Sequence, residues 1–257
     1  MFKRFTKAFY AVSAAAVVTA GLGLSAGAAS AATHVTHSKK GTVACGGNCV
    51  NIFSDVLGSS VTMNAYLHLD NGSGGYTGAP VNLHLASNNR PNGDFEPSIS
   101  GFVFQYCGFL ANDFFSPTSY ICQNYPFFAV IELNWAPFGE QSGWCAGVKN
   151  PYNGEKVTLQ PCGESARTVW VADRNHSTLG TNCLVPAVPP VPAGASSAVN
   201  FCPLINGSDT NFAQPLVLTL NTGTYYPQNQ LFLSRLLTLG GIAPLNQLWA
   251  YYPGPAV

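Results

Sequence analysis

Eight cysteines, Cys45, Cys49, Cys107, Cys122, Cys145, Cys162, Cys183 and Cys202, all lie beyond the first 44 residues of a 257-residue chain. An even count in an exported chain reads as disulfides, and cross-links restrict the accessible folds more than any local pattern does. A zinc site is the rival use of clustered thiols. It would want C-x2-C pairs, whereas the close pair here is Cys45-x3-Cys49, so no metal and no other cofactor is expected. Spacing does not choose among the pairings, about a hundred of them, that eight cysteines allow. The sequential set, Cys45–Cys49, Cys107–Cys122, Cys145–Cys162 and Cys183–Cys202, is the simplest, because each pair closes a local loop of 4 to 19 residues.

Export is predicted by the other end of the chain. Lys3, Arg4 and Lys7 precede an uncharged stretch from Ala8 to about Ala28, and Ala29-Ser30-Ala31 supplies the small-x-small cleavage signature. Residues 1–31 are therefore read as a signal peptide, and the protein as secreted. A membrane anchor is the rival, but the stretch is rich in Ala, Gly and Ser and no stop-transfer charges follow it. No later segment reaches the roughly 18 uninterrupted apolar residues of a spanning helix. Residues 32–44 are polar and aperiodic, a flexible leader, and 45–257 are read as a single domain. The three signal cations are part of eleven Lys and Arg, set against eleven Asp and Glu, so the mature part is net negative. Without a basic patch, nucleic acid is not a partner.

The clearest strand is Val61–Asp70, where apolar Val61, Met63, Ala65, Leu67 and Leu69 alternate with mostly polar residues, implying one buried and one wet face. Further candidates are Val81–Leu85, Phe102–Tyr106, Phe128–Trp135, Trp144–Val148, Val157–Gln160, Thr168–Ala172, Leu184–Val188, Val199–Cys202, Leu216–Leu220, Leu231–Arg235 and Gln247–Tyr252. Leu231–Leu239 is the nearest approach to a helix. With 26 glycines and 18 prolines between the runs, the pattern is an all-β fold of about twelve short strands.

Three of these runs repeat. Pro80–Leu85, Lys156–Pro161 and Pro215–Leu220 are similar, and each is followed by an aromatic: Phe95, Trp170 and Trp249. The third gap is much longer and calls for an insertion. Three copies of about four strands predict a pseudo-threefold barrel with these aromatics capping its core; a β-sandwich is the alternative.

The run Trp144-Cys145-Ala146-Gly147-Val148, then Val157-Thr158-Leu159-Gln160-Pro161-Cys162, then Thr168-Val169-Trp170 resembles one subdomain of the ricin-type β-trefoils. Gln247-x-Trp249 matches that family's closing element, and Asn182-Cys183-Leu184 resembles its first. The chain as a whole is similar to exported actinobacterial proteins. The resemblance implies a Cys145–Cys162 bridge, a trefoil fold and carbohydrate as ligand. It departs from the family at the sugar-binding aspartate, which falls at Gly147 and Val185, and at the glutamine of Gln-x-Trp, which is Thr168 in the second copy. It therefore implies the fold more than the lectin activity.

No catalytic residue is expected. Hydrolysis of a glycoside needs two facing carboxylates; Glu132, on one strand face with Asn134, reads as solvated, and Asp94 and Glu96 as loop residues. There is no Gly-x-Ser-x-Gly elbow. His68 and Asp70 share the wet face of one strand without a nucleophile, and His34-x2-His37 lies in the leader. Tyr225, Tyr226, Tyr251 and Tyr252 are the candidate ligand-binding residues, as exposed stacking platforms; the competing reading has one ring of each pair packed inward. Trp170 and Trp249 read as core. Residues 186–198, rich in Pro and Ala, are either a presentation loop or a long connection. The expected function is secreted, non-enzymatic binding of a carbohydrate or cell-surface polysaccharide. The alternatives are a protein-binding or protease-inhibitor trefoil and an extracellular hydrolase.

Overall fold

Alternation of apolar and polar residues, broken by Gly and Pro, produces twelve short strands among the residues that the computed structural model describes, which are 49–65, 78–85, 95–108, 114–137, 141–163, 165–183, 185–222, 231–238 and 240–253. In chain order they are β1 (Val50–Ser54), β2 (Val61–Ala65), β3 (Val81–Leu85), β4 (Phe95–Phe102), β5 (Ala129–Trp135), β6 (Trp144–Val148), β7 (Val157–Pro161), β8 (Val169–Ala172), β9 (Leu204–Asn206), β10 (Leu216–Leu220), β11 (Leu231–Arg235) and β12 (Trp249–Pro253). A single-turn helix, α1 (Tyr120–Asn124), is capped by Ser119, whose Oγ accepts from the Cys122 amide at 3.2 Å.

The pairing defines the architecture. β1 pairs with β12 and β4, β4 with β5, β5 with β8 and β8 with β9, all antiparallel. Between β9 and β12 the circuit is bridged, not laddered: Cys202 and Trp249 exchange backbone hydrogen bonds of 2.9 and 3.0 Å. The other six strands form the hairpins β2–β3, β6–β7 and β10–β11. Barrel strand, hairpin, barrel strand, three times over, is the β-trefoil plan.

Burial repeats with the same period. On β3, β7 and β11 the first and third residues, Val81 and Leu83, Val157 and Leu159, Leu231 and Leu233, are fully buried, and their neighbours are partly exposed. Each hairpin puts one face on the core, so period-two alternation survives. The hairpins also meet each other equivalently. Leu159 N–H donates to Ala79 O and Leu233 N–H to Glu155 O, both at 2.8 Å. Phe95, Trp170 and Trp249 open β4, lie in β8 and open β12, and all three are buried in one core cluster.

Several expectations are corrected. The third copy of the repeat is β11, not Pro215–Leu220, which is β10; with that register the third repeat needs no long insertion. Leu231–Arg235 is a strand, as its pattern predicts, and the helical alternative for Leu231–Leu239 is not taken over those residues. Thr62 and Asn64, expected on a wet face, are buried, because the outer face of β2 is covered as well. Phe102–Tyr106 turns into a 3-10 helix from Val103, residues 185–188 form no strand, and the strand near Val199–Cys202 is β9, further on. β1 and most of β4 had no sequence signal, the first having both faces buried. Residues 66–70 lie outside the described residues, as do the signal and leader segments.

Cys107–Cys122, Cys145–Cys162 and Cys183–Cys202 are disulfides with Cα separations of 6.0, 5.0 and 5.8 Å. Cys49 is disulfide-bonded too, and Cys45 lies outside the described residues. No described helix is long and apolar enough to cross a membrane.

Candidate binding site

The chain from β4 to β5 detours through residues 103–128, closed by Cys107–Cys122. Its two ends pair: Val103 N–H donates to Phe128 O, and Phe104 N–H to Pro126 O, each at 2.9 Å. Val103 and Phe128 point into the core, so the adjacent side chains Phe104 and Phe127 must point out. Phe102, its amide held by Gln105 Oε1 at 2.7 Å, joins them. Phe102, Phe104 and Phe127 are 47, 50 and 61% exposed. Phe102 and Phe104 lie nearly parallel, 11° apart with centroids at 6.2 Å, and Phe127 meets Phe104 edge-on at 5.8 Å. Tyr125 stacks on Phe128 behind this cluster at 4.6 Å. Asp113 is the only charged residue in sequence between Pro97 and Ile131, so the segment that carries the three rings is poor in charge. Sequence reasoning missed this cluster. Its signal was the doublet Phe127-Phe128 and the spacing Phe102-x-Phe104, but outward direction depends on the pairing of the two ends.

The tyrosine candidates fare differently. Tyr252 is buried and packs on Phe53, with centroids 5.7 Å apart, so its ring is no exposed platform. Tyr251 is half-buried, and burial pushes its phenol above the ordinary value. Tyr225 and Tyr226 lie outside the described residues, as do His34, His37, His68, Asp70 and Asp94. Glu132, expected in water, is only 2% exposed; its carboxylate accepts from Thr168 Oγ1. The reason is that β5 is covered on both faces. Glu96 accepts instead from Gln141. Glu132 also lies beside the Cys145–Cys162 sulfurs, within 4.8 Å, but those thiols are spent in the disulfide and are no metal ligands.

The hairpin equivalence relates Gly147 to one position in each of the other two hairpins. Gly147, Thr219 and Asn64 each follow the middle residue of their strands β6, β10 and β2. Val185, by contrast, is on unpaired chain and is not equivalent. A Cβ on Gly147 would lie 2.9 Å from Arg167 O and 3.0 Å from Thr168 Cγ2, so no side chain fits there. Thr219 is buried and bonded to Ser234 Oγ at 2.7 Å, and Asn64 is buried. Gln247 is structural: its Nε2 donates to Ser234 Oγ at 2.7 Å and Arg235 O at 2.9 Å, tying β12 to β11.

Residues 186–198 are docked. Ala187 N–H donates to Tyr251 O, Val191 N–H to Ser59 Oγ and Ser59 N–H to Val191 O, all at 2.8 Å. Gly58 makes room: at φ +66° a Cβ there would sit 2.4 Å from Val191 O. Between the buried anchors Ala187 and Val191, Val188 stands 85% exposed.

No family model matches the chain, and no curated protein does. Among solved structures it is similar to the designed threefold-symmetric protein ThreeFoil, at 10% identity and TM-score 0.43 over 80% of this chain and 99% of that one. It is also similar to a mosquitocidal holotoxin (11%, 0.43), over 80% of this chain and 17% of that one. A third is the Polyporus squamosus lectin bound to a human-type influenza-binding epitope (9%, 0.42), over 81% of this chain and 49% of that one. The chain thus spans well under two thirds of the length of the latter two. Its own strand pairing and burial, described above, define its fold.

Proposed function

We propose that this is an exported, non-catalytic binding protein that engages polysaccharide surfaces through Phe102, Phe104 and Phe127. The observation that carries the reading is the cluster itself: three outward rings in mutual contact on a disulfide-closed detour. Contiguous exposed apolar surface marks an interaction site, and ring faces stack on the C–H faces of sugars without needing a charged partner. Of the carboxylates weighed for hydrolysis, the two within the described residues are hydrogen-bonded to neighbours, Glu132 with Thr168 and Glu96 with Gln141. At the three equivalent hairpin positions stand Gly147, buried Thr219 and buried Asn64, which supports binding on a flat platform over binding to a pocket acceptor. Pull-down on insoluble cellulose, chitin and peptidoglycan tests this. Wild-type protein should be retained on at least one. The Phe102→Ala/Phe104→Ala variant should bind several-fold more weakly with an unchanged melting temperature, each ring contributing about 0.5–1.5 kcal/mol. Retention of neither protein, or of both equally, rejects the reading.

A second reading rests on Val188, which tops a loop anchored on both sides and cross-linked by Cys183–Cys202. Such a tip suits insertion into a protein cleft, as in an inhibitor. Loss of tight inhibition of a secreted protease on Val188→Asp would support it.

A further inference from the structure

On the barrel axis lies an apolar pocket of about 200 Å³, partly open to solvent beside the half-buried Pro97, Cys183 and Tyr251. Its lining follows the threefold pattern. Val50, Ile131 and Cys202 are the residues paired with Phe95, Trp170 and Trp249, and all three line it. Two residues further along, Ile52, Leu133 and Leu204 line it as well. Across from these stand Tyr251, Pro97 and Ala172, in the register pairs Ile52–Tyr251, Leu133–Pro97 and Leu204–Ala172. The cavity is therefore on the pseudo-threefold axis, bounded by three layers of equivalent positions.

Its origin is also visible. A small barrel is normally filled by its inward side chains. In the outermost of these layers two of the three equivalents are small, Pro97 and Ala172, and the third, Tyr251, is only half-buried. The missing side-chain volume is left on the axis. An apolar guest seated against such a wall gains dispersion contacts with its side chains. Water is a poor filler. The lining is aliphatic apart from Trp249, Tyr251 and the Cys183–Cys202 bridge, and the Trp249 N–H is spent on Leu218 O at 2.9 Å. An apolar cavity of about 150 Å³ in another protein stays dry and takes up benzene or xenon.

We propose that the axial cavity is a binding site for one small, neutral, apolar molecule, the size of a single substituted aromatic ring or a short branched alkyl chain. The Cys183–Cys202 disulfide holds one wall, and the Ile52–Tyr251 pair forms the side through which the phenol ring borders the ligand. This site is separate from the phenylalanine cluster, and neither depends on the other.

Toluene serves as the probe, with the full disulfide-bonded chain. Wild-type protein should show a toluene-dependent rise in melting temperature and magnetisation transfer from toluene protons to the methyls of Leu133 and Leu204. Ala172→Leu fills the void from one side and should weaken toluene binding by at least about tenfold. Leu204→Phe is a second filling variant should the first fail to fold. Phe102→Ala/Phe104→Ala should bind toluene as wild type does. Absence of transfer to those methyls in the wild type overturns the proposal, and so does unchanged toluene binding in a folded, filled variant. The wild-type transfer experiment decides even if neither variant folds.

Discussion

The indole N–H of Trp249 donates to the carbonyl of Leu218 at 2.9 Å, inside the core. The same bond recurs one repeat earlier, from Trp170 to Ala146 at 2.9 Å. Leu218 and Ala146 are each the middle residue of their strands, β10 and β6, so the two bonds are related by the pseudo-threefold axis. In the first repeat the aromatic is Phe95, which has no N–H to give. Trp249→Ala should therefore cost about 3–5 kcal/mol. Trp249→Phe keeps most of the volume but strands a buried carbonyl, and should cost about 1–3 kcal/mol. Denaturant unfolding measures both; a Trp249→Ala cost no larger than that of a surface change would contradict the shared core.

The Cys145–Cys162 bridge closes a loop of 17 residues across the β6–β7 hairpin. A cross-link of that span contributes about 3 kcal/mol in the chain-entropy account. Cys145→Ala should lower the melting temperature and leave Cys162 open to alkylation in unfolded protein. Peptide mapping that linked Cys162 to another cysteine would break the assignment.

Two side chains, His176 and Asp55, should each add stability in acid relative to weakly alkaline pH, while burial of His84, which pushes its imidazole down, acts in the opposite direction. Asp173 hydrogen-bonds His176 at 2.5 Å and pushes its imidazole up, burial opposing. A raised histidine adds stability below its unfolded value, about 6.5, and loses it as pH rises through the folded one. Burial pushes the Asp55 carboxyl up, against smaller opposing pulls from Ser196 and the Ala195 backbone. Its native state holds the proton more tightly than the unfolded state, so its ionisation at neutral pH lowers stability. His176→Ala should destabilise at pH 5.5 more than at pH 9. Asp55→Asn should stabilise at pH 8 and change little at pH 4. Melting temperatures across that range check both, and opposite slopes would refute the assignments.

An aspartate placed at Gly147 should not be accommodated. Gly147→Asp puts a Cβ within 2.9 Å of Arg167 O and 3.0 Å of Thr168 Cγ2. Overpacking of this kind costs about 1–3 kcal/mol. The variant should melt lower and gain no affinity for galactose or lactose by calorimetry. A stable, sugar-binding variant would show that the space at Gly147 does accept a side chain.

Protein recovered from culture medium should begin near Ala32 or Thr33. Its intact mass should be eight hydrogens below that of the reduced chain, one for each cysteine. Retention of the N-terminal segment, or free thiols, would sink the export reading.

What the sequence determined by itself follows from one-sided burial. β3, β7 and β11 each lay one face on the core, so their alternation could be read directly, and Phe95, Trp170 and Trp249 could be matched as a set. The all-β class was legible for equally local reasons, whereas the pairing of Cys107 with Cys122, Cys145 with Cys162 and Cys183 with Cys202 is fixed by the fold. The third-repeat register was not, because β10 and β11 are both short apolar strands and only their partners tell them apart. Polar residues on doubly covered strands were misread too: Asn64 and Glu132 alternate as if wetted, yet the chain packed outside β2 and β5 removes the water. The outward Phe104 and Phe127 depend on pairing between residues more than twenty positions apart. The axial cavity depends on which side chains from β4, β8 and β12 converge at one level. Local pattern records a residue's own preference for a face, whereas coverage of that face and convergence on an axis are set by chain segments that meet only in the folded state.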